Sequence, residues 1–389
     1  MPLRSGNRTL MRDINRHLVL NLIKNRGPLS RTDIAALSNL GQSTVTNITR
    51  QVMEMGLVRE VAVGTSTGGR PPIMLEIDPT GGYAVGLKLT RHSITLAMTD
   101  LFGGVVRHTV IQPGDASQID VYMDNLAGSI QKFLEETAVP TERLMGIGVG
   151  MPGFIDFRRG ICLHSSLMGW KNVAVAEMLE QRLNIGVVVD NNVTTLTLYE
   201  LLFGSGQGMS DFLVITVGEG VGMGLVVNGR LMRGSRGGAG EFGHIPMVVN
   251  GALCSCGNRG CLETVINDAS LVAQAQAAGL AVSLPGELLA LARSEEPTAL
   301  AIYTEAGRWL GRGLATLINL FNPSHIIISG EGADAVKVAE TVMREEMKSH
   351  VFNGMADPLD LFIEPLEDFS WAQGAASLVL DEFFSPPIY

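Results

Sequence analysis

Residues 241–263 read EFGHIPMVVNGALCSCGNRGCLE and gather His244, Cys254, Cys256 and Cys261 within eighteen positions. Three thiolates spaced C-x-C-x4-C and an imidazole ten residues upstream form the donor set that closes a tetrahedral Zn²⁺ site with no open position, so the ion it predicts is structural. Gly257 and Gly260 let the backbone turn tightly around such an ion, whose binding free energy would order a loop poor in apolar residues. A redox pair or unrelated buried thiols are the competing readings, and the upstream histidine favours zinc over both. Glu241 and Glu263 bracket the array, so ordering the metal also fixes two carboxylates, an arrangement suited to a hydroxyl-rich ligand such as a sugar.

A chain of 389 residues with 46% hydrophobic content is enough for two or three cores and too long for one ordinary domain. Only Cys162 lies outside the metal array, which excludes a disulfide framework and points to the reducing cytoplasm. No apolar run approaches the length of a membrane span, and the short piece from Leu18 to Ile23 is interrupted by Asn21. Charge is unevenly shared. Residues 1–78 carry ten Lys and Arg against six Asp and Glu, a net +4, whereas residues 79–389 carry 19 against 33, a net −14. A basic head on an acidic body suggests that the head meets an anionic polymer.

The head reads as a winged helix-turn-helix over residues 1–78. Arg4, Arg8, Arg12 and Arg16 recur every four residues, compatible with a phosphate-facing row or with a solvated arm. A helix patterned by Leu18, Leu22 and Ile23 runs from Asn15 to the stop at Gly27-Pro28, and a second starts at Ser30 with Asp33 three residues on, burying Ile34, Ala35 and Leu37. The third, Gln42 to Met55, would bury Val45, Ile48, Val52 and Met55 and leave Ser43, Thr44, Thr46, Asn47 and Arg50 to read DNA in the major groove. Strands Leu57–Val63 and Ile73–Ile77 make a wing. Arg70 sits on its proline-stiffened tip, suited to a narrow minor groove. A protein-interaction domain is the plainer alternative for the whole module.

From Gly82 the text changes to glycine-punctuated strands and helices. Tyr83–Leu89, Ser93–Thr99, Val105–Ile111, Gly146–Gly150 and Val187–Asp190 read as strands, with helices at Ile119–Glu136 and Val193–Phe203. A second hairpin, Phe212–Val217 and Gly222–Asn228, opens a repeat of the unit, which ends with strands Ile326–Ser329 and Leu361–Ile363. The predicted boundaries are a first α/β lobe at 79–197, completed by a C-terminal helix at 370–389, and a second lobe at 198–369 that holds the zinc loop and a dimer surface.

The cysteine array and the winged head together resemble the ROK family of sugar kinases and sugar-responsive repressors, over a span from about residue 10 to the C-terminus. The resemblance implies a two-lobed, actin-like, sugar-kinase-like body with the sugar between its lobes; the family's kinases lack the head. Where those kinases carry Asp-x-Gly-x-Thr, this chain reads Lys88-Leu89-Thr90-Arg91-His92, and their Gly-Thr-Gly phosphate loop is Gly218-Glu219-Gly220. In Asp190-Asn191-Asn192, counted back from Glu200, Asn192 takes the place of the catalytic Asp; an amide cannot accept the sugar's proton but can still bond its hydroxyl. Asp190 is the rival base.

The positions that match the family's sugar contacts are Gly153, Ser166, Asn191, Asn192, Glu241, His244 and Glu263, the segment around Ser166 departing from the Asn that many members carry. His244 would bind zinc through one nitrogen and offer the other to the sugar. Trp170, Trp309 and Trp371 are expected in cores or interfaces. The expectation is thus a cytoplasmic, sugar-responsive repressor with no catalytic residue, zinc as its cofactor and no ATP. Its partners would be a palindromic double-stranded DNA operator, a monosaccharide, and further copies of itself as a homodimer or dimer of dimers, with no membrane. The alternatives are an ATP-dependent sugar kinase and a regulator controlled by protein docking.

Overall fold

In the computed structural model, which describes residues 8–63, 72–91, 93–112, 114–367 and 369–385, the N-terminal segment forms three helices and a small sheet. Helix α1 (Arg8–Arg26) begins seven residues before the predicted Asn15, because the intervening Leu10, Met11 and Arg12 are good helix formers. After the two-residue strand β1 (Leu29–Ser30), helix α2 (Arg31–Ser38) is capped reciprocally: Asp33 N–H donates to Ser30 Oγ, and Ser30 N–H donates to the Asp33 carboxylate. Asn39, at φ 56°, ends it and leads into α3 (Gln42–Glu54). The wing strands β2 (Val58–Val63) and β3 (Ile73–Ile77) join β1 in the order β1-β3-β2. The wing tip and Arg70 lie outside the described residues.

Val19, Leu20, Ile23, Ile34, Val45, Ile48 and Val52 fill the head's core. Leu18, Leu37 and Met55, expected on buried faces, are exposed instead. The buried stripe of α1 falls on Val19, Leu20 and Ile23, turning Leu18 outward, while the short α2 centres its stripe on Ile34 and Ala35. Met55 lies just past the end of α3 and borders a recess that the head shares with Arg143, Met145 and Phe383 of the body.

The first body sheet has the order β11-β7-β4-β5-β6. It comprises β4 (Tyr83–Leu89), β5 (Ile94–Thr99), β6 (Val105–Ile111), β7 (Leu144–Met151) and β11 (Val187–Asn191), with α4 (Ile119–Thr137) between β6 and β7. Between β7 and β11 the chain inserts a small sheet absent from the sequence reading, β8 (Phe154–Asp156), β9 (Ile161–Ser165) and β10 (Trp170–Val173), then α5 (Val175–Leu183). Helix α6 (Asn192–Leu202) leads out of this unit.

The second sheet, β14-β13-β12-β15-β16, repeats the same pattern: three successive antiparallel strands, with β15 and β16 parallel to β12 as β7 and β11 are to β4. It is built from β12 (Phe212–Val217), β13 (Val221–Val227), β14 (Arg230–Leu231), β15 (His325–Ser329) and β16 (Asp360–Ile363). Its helices are α7 (Glu263–Ile266), α8 (Asp268–Ala277), α9 (Pro285–Arg293), the 25-residue α10 (Pro297–Phe321), α11 (Ala333–Val338) and α12 (Glu340–His350). Leu310, Leu314 and Ile318 of α10 pack with Met343 and Met347 of α12 into its core.

The last helix, α13 (Ser370–Phe384), returns to the first sheet. Its backbone lies so close to β4 and β7 that a side chain at Gly86 or Gly148 would sit 1.8 Å from the carbonyl oxygen of Ala372 or Ala375. That contact accounts for glycines in otherwise apolar strands. The far end of α13 joins the head: Ala376, Val379, Leu380 and Phe384 share one apolar cluster with Val19, Leu20 and Ile23 of α1. Asn21 Nδ2 donates to the Phe384 carbonyl at 2.6 Å, and Lys24 Nζ lies 4.9 and 4.2 Å from the Phe203 and Phe384 ring centres. Burial depresses the Lys24 pKa, and the nearby Asp381 opposes that shift.

Candidate ligand cleft, metal centre and nucleic-acid interface

Two adjoining cavities, of about 170 and 470 Å³, form one cleft between the lobes, sharing Gly153, Asn191, Glu219, Glu241 and Glu263 as walls. The first extends past Asn192 to Lys88, Glu331 and Trp371; the second past Ser166 to His244 and Cys256. All seven residues singled out in the sequence as sugar contacts therefore line the same cleft. Gly153 is required there. It adopts φ 122°, and a side chain on it would meet the His164 carbonyl oxygen at 2.5 Å.

The two asparagines differ in what they have free. Asn191 is the N-cap of α6: its Oδ1 accepts from Val193 N–H at 2.8 Å, and its Nδ2 donates to the Gly153 carbonyl at 3.0 Å. Much of its amide capacity is spent on holding the cleft wall to the helix. Among the described residues, the Asn192 side chain makes no hydrogen bond, so its amide is available to a ligand. Glu263 Oε2 accepts from Val221 N–H at 3.1 Å, tying α7 to the second hairpin, and Glu241 Oε2 lies 3.7 Å from His244 Nε2. Burial raises the Glu241 carboxyl above its ordinary range, His244 opposes that shift, and Glu263 adds to it.

The four residues read as metal ligands come together. One donor atom from each of His244, Cys254, Cys256 and Cys261 lies within 4.8 Å of all the others. Cys254 Sγ is 3.4 Å from His244 Nδ1, and Cys256 Sγ is 3.7 Å from Cys261 Sγ. Nδ1 thus faces the sulfurs while Nε2 faces Glu241, the division of the two nitrogens expected of a liganding histidine with an outer carboxylate partner. Backbone pairing between Pro246 and Cys261 and between Leu253 and Arg259 folds the loop, with Gly257 at φ 90° and Gly260 at φ 75°. Burial, reinforced by the neighbouring sulfurs, pushes the Cys261 thiol up to about 12, a proton that a bound cation would displace. The donor set fits a closed, thiolate-rich metal site.

At the opposite end of the cleft, Lys88 Nζ meets Glu331 Oε1 at 2.5 Å and lies 4.6 Å from the centre of the Trp371 ring. This pair bridges the lobes, β4 to the turn after β15. Glu219 lines the same cavity, and Asp268 begins α8 beside it. Burial first, then the charges of Glu331 and Glu219, raise the Asp268 carboxyl to about 6. A second bridge joins the lobes where Arg233 Nε meets Asp190 Oδ2 at 2.7 Å, with Arg233 also over the Phe157 ring at 4.9 Å. Asp190 is almost wholly buried; its Oδ1 accepts from Asn191 N–H at 2.8 Å. Both carboxylate oxygens are engaged, so Asp190 is poorly placed to take a proton from a ligand in the cleft. Neither bridge was visible in sequence, because its members lie 243 and 43 residues apart. Trp170 is a core residue whose Nε1 donates to the Ala116 carbonyl, and Trp309 is half-buried beside Arg312.

In the head, Ser43, Thr46, Asn47 and Arg50 are exposed on α3, and Thr44 is half-buried. Thr46 Oγ1 donates back to the Gln42 carbonyl, and Arg50 Nη2 donates to Asn47 Oδ1 at 3.3 Å. Arg12 and Asn15 of α1 flank Thr44, Asn47 and Arg50 across one shallow recess, so the start of α1 lies alongside the exposed face of α3. Arg16 is instead paired with Asp13 at 3.3 Å. Among the described residues, no helix is long and apolar enough to cross a membrane.

A winged helix-turn-helix fused to two repeated α/β lobes around a cleft is the build of a DNA-binding regulator with a kinase-like body. Residues 84–382 match the ROK family and residues 14–61 the MarR family. The chain belongs to the ROK family. It is 28% identical over 382 residues to the xylose repressor of Bacillus subtilis (strain 168), covering 97% of this chain and 98% of that one. It is 32% identical over 383 residues to the DNA-binding transcriptional dual regulator NagC of Escherichia coli (strain K12), covering 96% and 94%. Among solved structures, a ROK family transcriptional regulator described as a homologue of the E. coli MLC protein superposes with a TM-score of 0.83 at 28% identity, covering 96% and 97%.

Proposed function

We propose that this chain is a sugar-responsive transcriptional repressor whose head binds a palindromic operator and is released by a monosaccharide held between the lobes. The observation that carries this reading is the make-up of the cleft. Asn192, Glu241, His244 and Glu263 offer hydrogen-bonding groups for hydroxyls, whereas a phosphoryl-transfer site needs metal-binding and phosphate-binding groups where the chain has Lys88, Glu219 and Glu331. The body on this reading transfers no phosphoryl group: Asn192 has no basic oxygen to act with, and Asp190 is committed to Arg233. The names xylose repressor and NagC among its relatives support the assignment.

The remaining parts follow. The metal is Zn²⁺, held by His244, Cys254, Cys256 and Cys261, and when bound it supplies order rather than reactivity. Glu241 and Glu263 then approach the ligand from a fixed loop, with Gly153, Ser166 and Asn191 completing the walls. Ser43, Thr44, Thr46, Asn47 and Arg50 read the major groove, and Arg70 enters the minor groove. One head reads too few base pairs for adequate specificity, so the protein acts as a homodimer or a dimer of dimers, in the cytoplasm. Residues 1–78 form the head, 79–197 with the C-terminal helix the first lobe, and 198–369 the second.

The test is an operator titration on the DNA upstream of the protein's own gene, at fixed salt, repeated with a panel of monosaccharides. One sugar weakening binding by at least about tenfold, equivalent to about 1.4 kcal/mol, is the expected result. Operator binding that no sugar changes would overturn the sugar switch, and no DNA binding at all would overturn the repressor.

A further inference from the structure

The charges in the cleft narrow the ligand beyond the class sugar. Among the described residues, four carboxylates line it, Glu219, Glu241, Glu263 and Glu331, against the cations Lys88 and Arg91. Lys88 is already paired with Glu331 and lies against the Trp371 ring, so its charge is compensated before any ligand arrives. Arg91 is exposed at the rim. Acidic groups line both cavities: Glu219, Glu241 and Glu263 are walls of each, and Glu331, with Asp268 near it, adds a carboxylate at the Lys88 end. A phosphate dianion therefore meets carboxylates whichever way the ligand lies, and it gains no cation that is not already neutralised or solvated. Carboxylates and a free amide are, by contrast, well matched to O–H donors.

Building on the sugar-binding reading above, we propose that the effector is an uncharged monosaccharide and not its phosphate ester, and that Glu219 and Glu331 are the specificity-determining residues that exclude phosphorylated ligands. Glu331 acts in two ways. It repels an incoming phosphate directly, and it holds Lys88, a cleft cation that could otherwise turn toward an anionic group. Glu219, exposed on the Gly218–Gly220 loop, adds a second negative charge on the same wall. The arrangement would exclude nucleotides and sugar phosphates by the same physical means.

The experiment uses the full-length protein and compares D-glucose with glucose 6-phosphate and N-acetyl-D-glucosamine with its 6-phosphate, by calorimetry and by shift of the melting temperature. At least one parent sugar should bind, and its ester should bind at least about tenfold more weakly, the gap shrinking as salt is raised. In the double variant Glu219→Gln, Glu331→Gln the gap should narrow by a similar factor, and the single variant Glu219→Gln, which leaves the Lys88 bridge intact, should narrow it partly. An ester that binds as tightly as its parent, or a gap that neither variant changes, would overturn the proposal. Loss of every sugar response in a protein that still binds its operator would remove the sugar reading itself, and this inference with it.

Discussion

Replacing Arg233 by Ala isolates a buried charge and should be among the most damaging single changes in the body. In the intact protein the Asp190 side chain is about 2% exposed, and its partner Arg233 is 20% exposed. Removing Arg233 leaves a carboxylate with one backbone N–H, that of Asn191, and no counter-charge. Breaking such a pair from the exposed side costs about 3–5 kcal/mol. That corresponds to a fall in melting temperature on the order of 10 °C for a body of this size. Burial already raises the Asp190 pKa in the intact protein, opposed by the charge and hydrogen bond of Arg233 and by the Asn191 N–H. A carboxyl raised in the folded state contributes stability that is fully present below its unfolded pKa and is lost as pH rises through the folded value. Without Arg233 the folded value moves higher, so Arg233→Ala should be penalised more at about pH 8 than at about pH 5.5. Asp190→Asn should behave differently, because it strands a guanidinium that still reaches water and keeps the Phe157 ring. Its cost should be about 1–3 kcal/mol with little dependence on pH. Thermal unfolding of both variants at the two pH values is the assay. Equal shifts for the two variants, or an Arg233→Ala penalty that does not grow with pH, would refute the reasoning.

A side chain at Gly260 would sit 1.8 Å from the Val248 carbonyl oxygen on a backbone at φ 75°, so Gly260→Ala should cost roughly 1–3 kcal/mol and weaken metal retention against a chelator, read as metal content per chain. Arg50→Ala should weaken operator binding by roughly tenfold, whereas unchanged affinity would remove this exposed arginine from the interface. Lys24→Ala removes two partly buried cation–π contacts of about 1 kcal/mol each and should loosen the head from the body, seen as faster amide exchange in α1; unchanged exchange there would show that the apolar seam alone holds it. Asn192→Asp restores a carboxylate facing the cleft, yet ADP formation with ATP and any hexose should stay at background because Glu219 and Glu331 are untouched. Measurable turnover would mean that the cleft still admits a nucleotide.

What was legible in sequence was local. The Ser30–Asp33 cap, the Gly27-Pro28 stop and the strand alternation around Phe212 each depend on residues within one turn or one hairpin. The metal array was legible for the same reason, its ligands spanning eighteen positions with a spacing that few other chemistries need. The small sheet β8–β10 was not, because three- to five-residue strands separated by Arg158-Arg159-Gly160 give too short a pattern to register. Asn191 carries a signal readable in the sequence. An Asn directly before a helical run is a strong N-cap, so its amide was accountable to the backbone before any ligand was considered. The bridges Lys88–Glu331 and Asp190–Arg233 join opposite lobes, and only the three-dimensional repeat brings them together.

The same packing bears on how a ligand could reach the DNA. Helix α6 begins at the cleft with Asn191 as its cap and ends at Phe203 under Lys24, while α13 begins with Trp371 beside Lys88 and ends at Phe384 over the same lysine. The two helices pack on each other; α13 lies on the first sheet, whereas α6 packs on both sheets, and their far ends share an apolar cluster with the head. Helix α13 thereby ties the head to the first lobe, so a change in cleft width would move the second lobe relative to the head. If two copies pair through their second lobes, as the sequence leads one to expect, closing each cleft would carry the two heads to a new separation and alter their fit to paired half-sites. Pairing through the first lobes would leave that separation unchanged, and a ligand would then have no differential interaction through which to release DNA. On the proposed function, a route from sugar to operator would therefore require the dimer surface to lie on the lobe that does not carry the head.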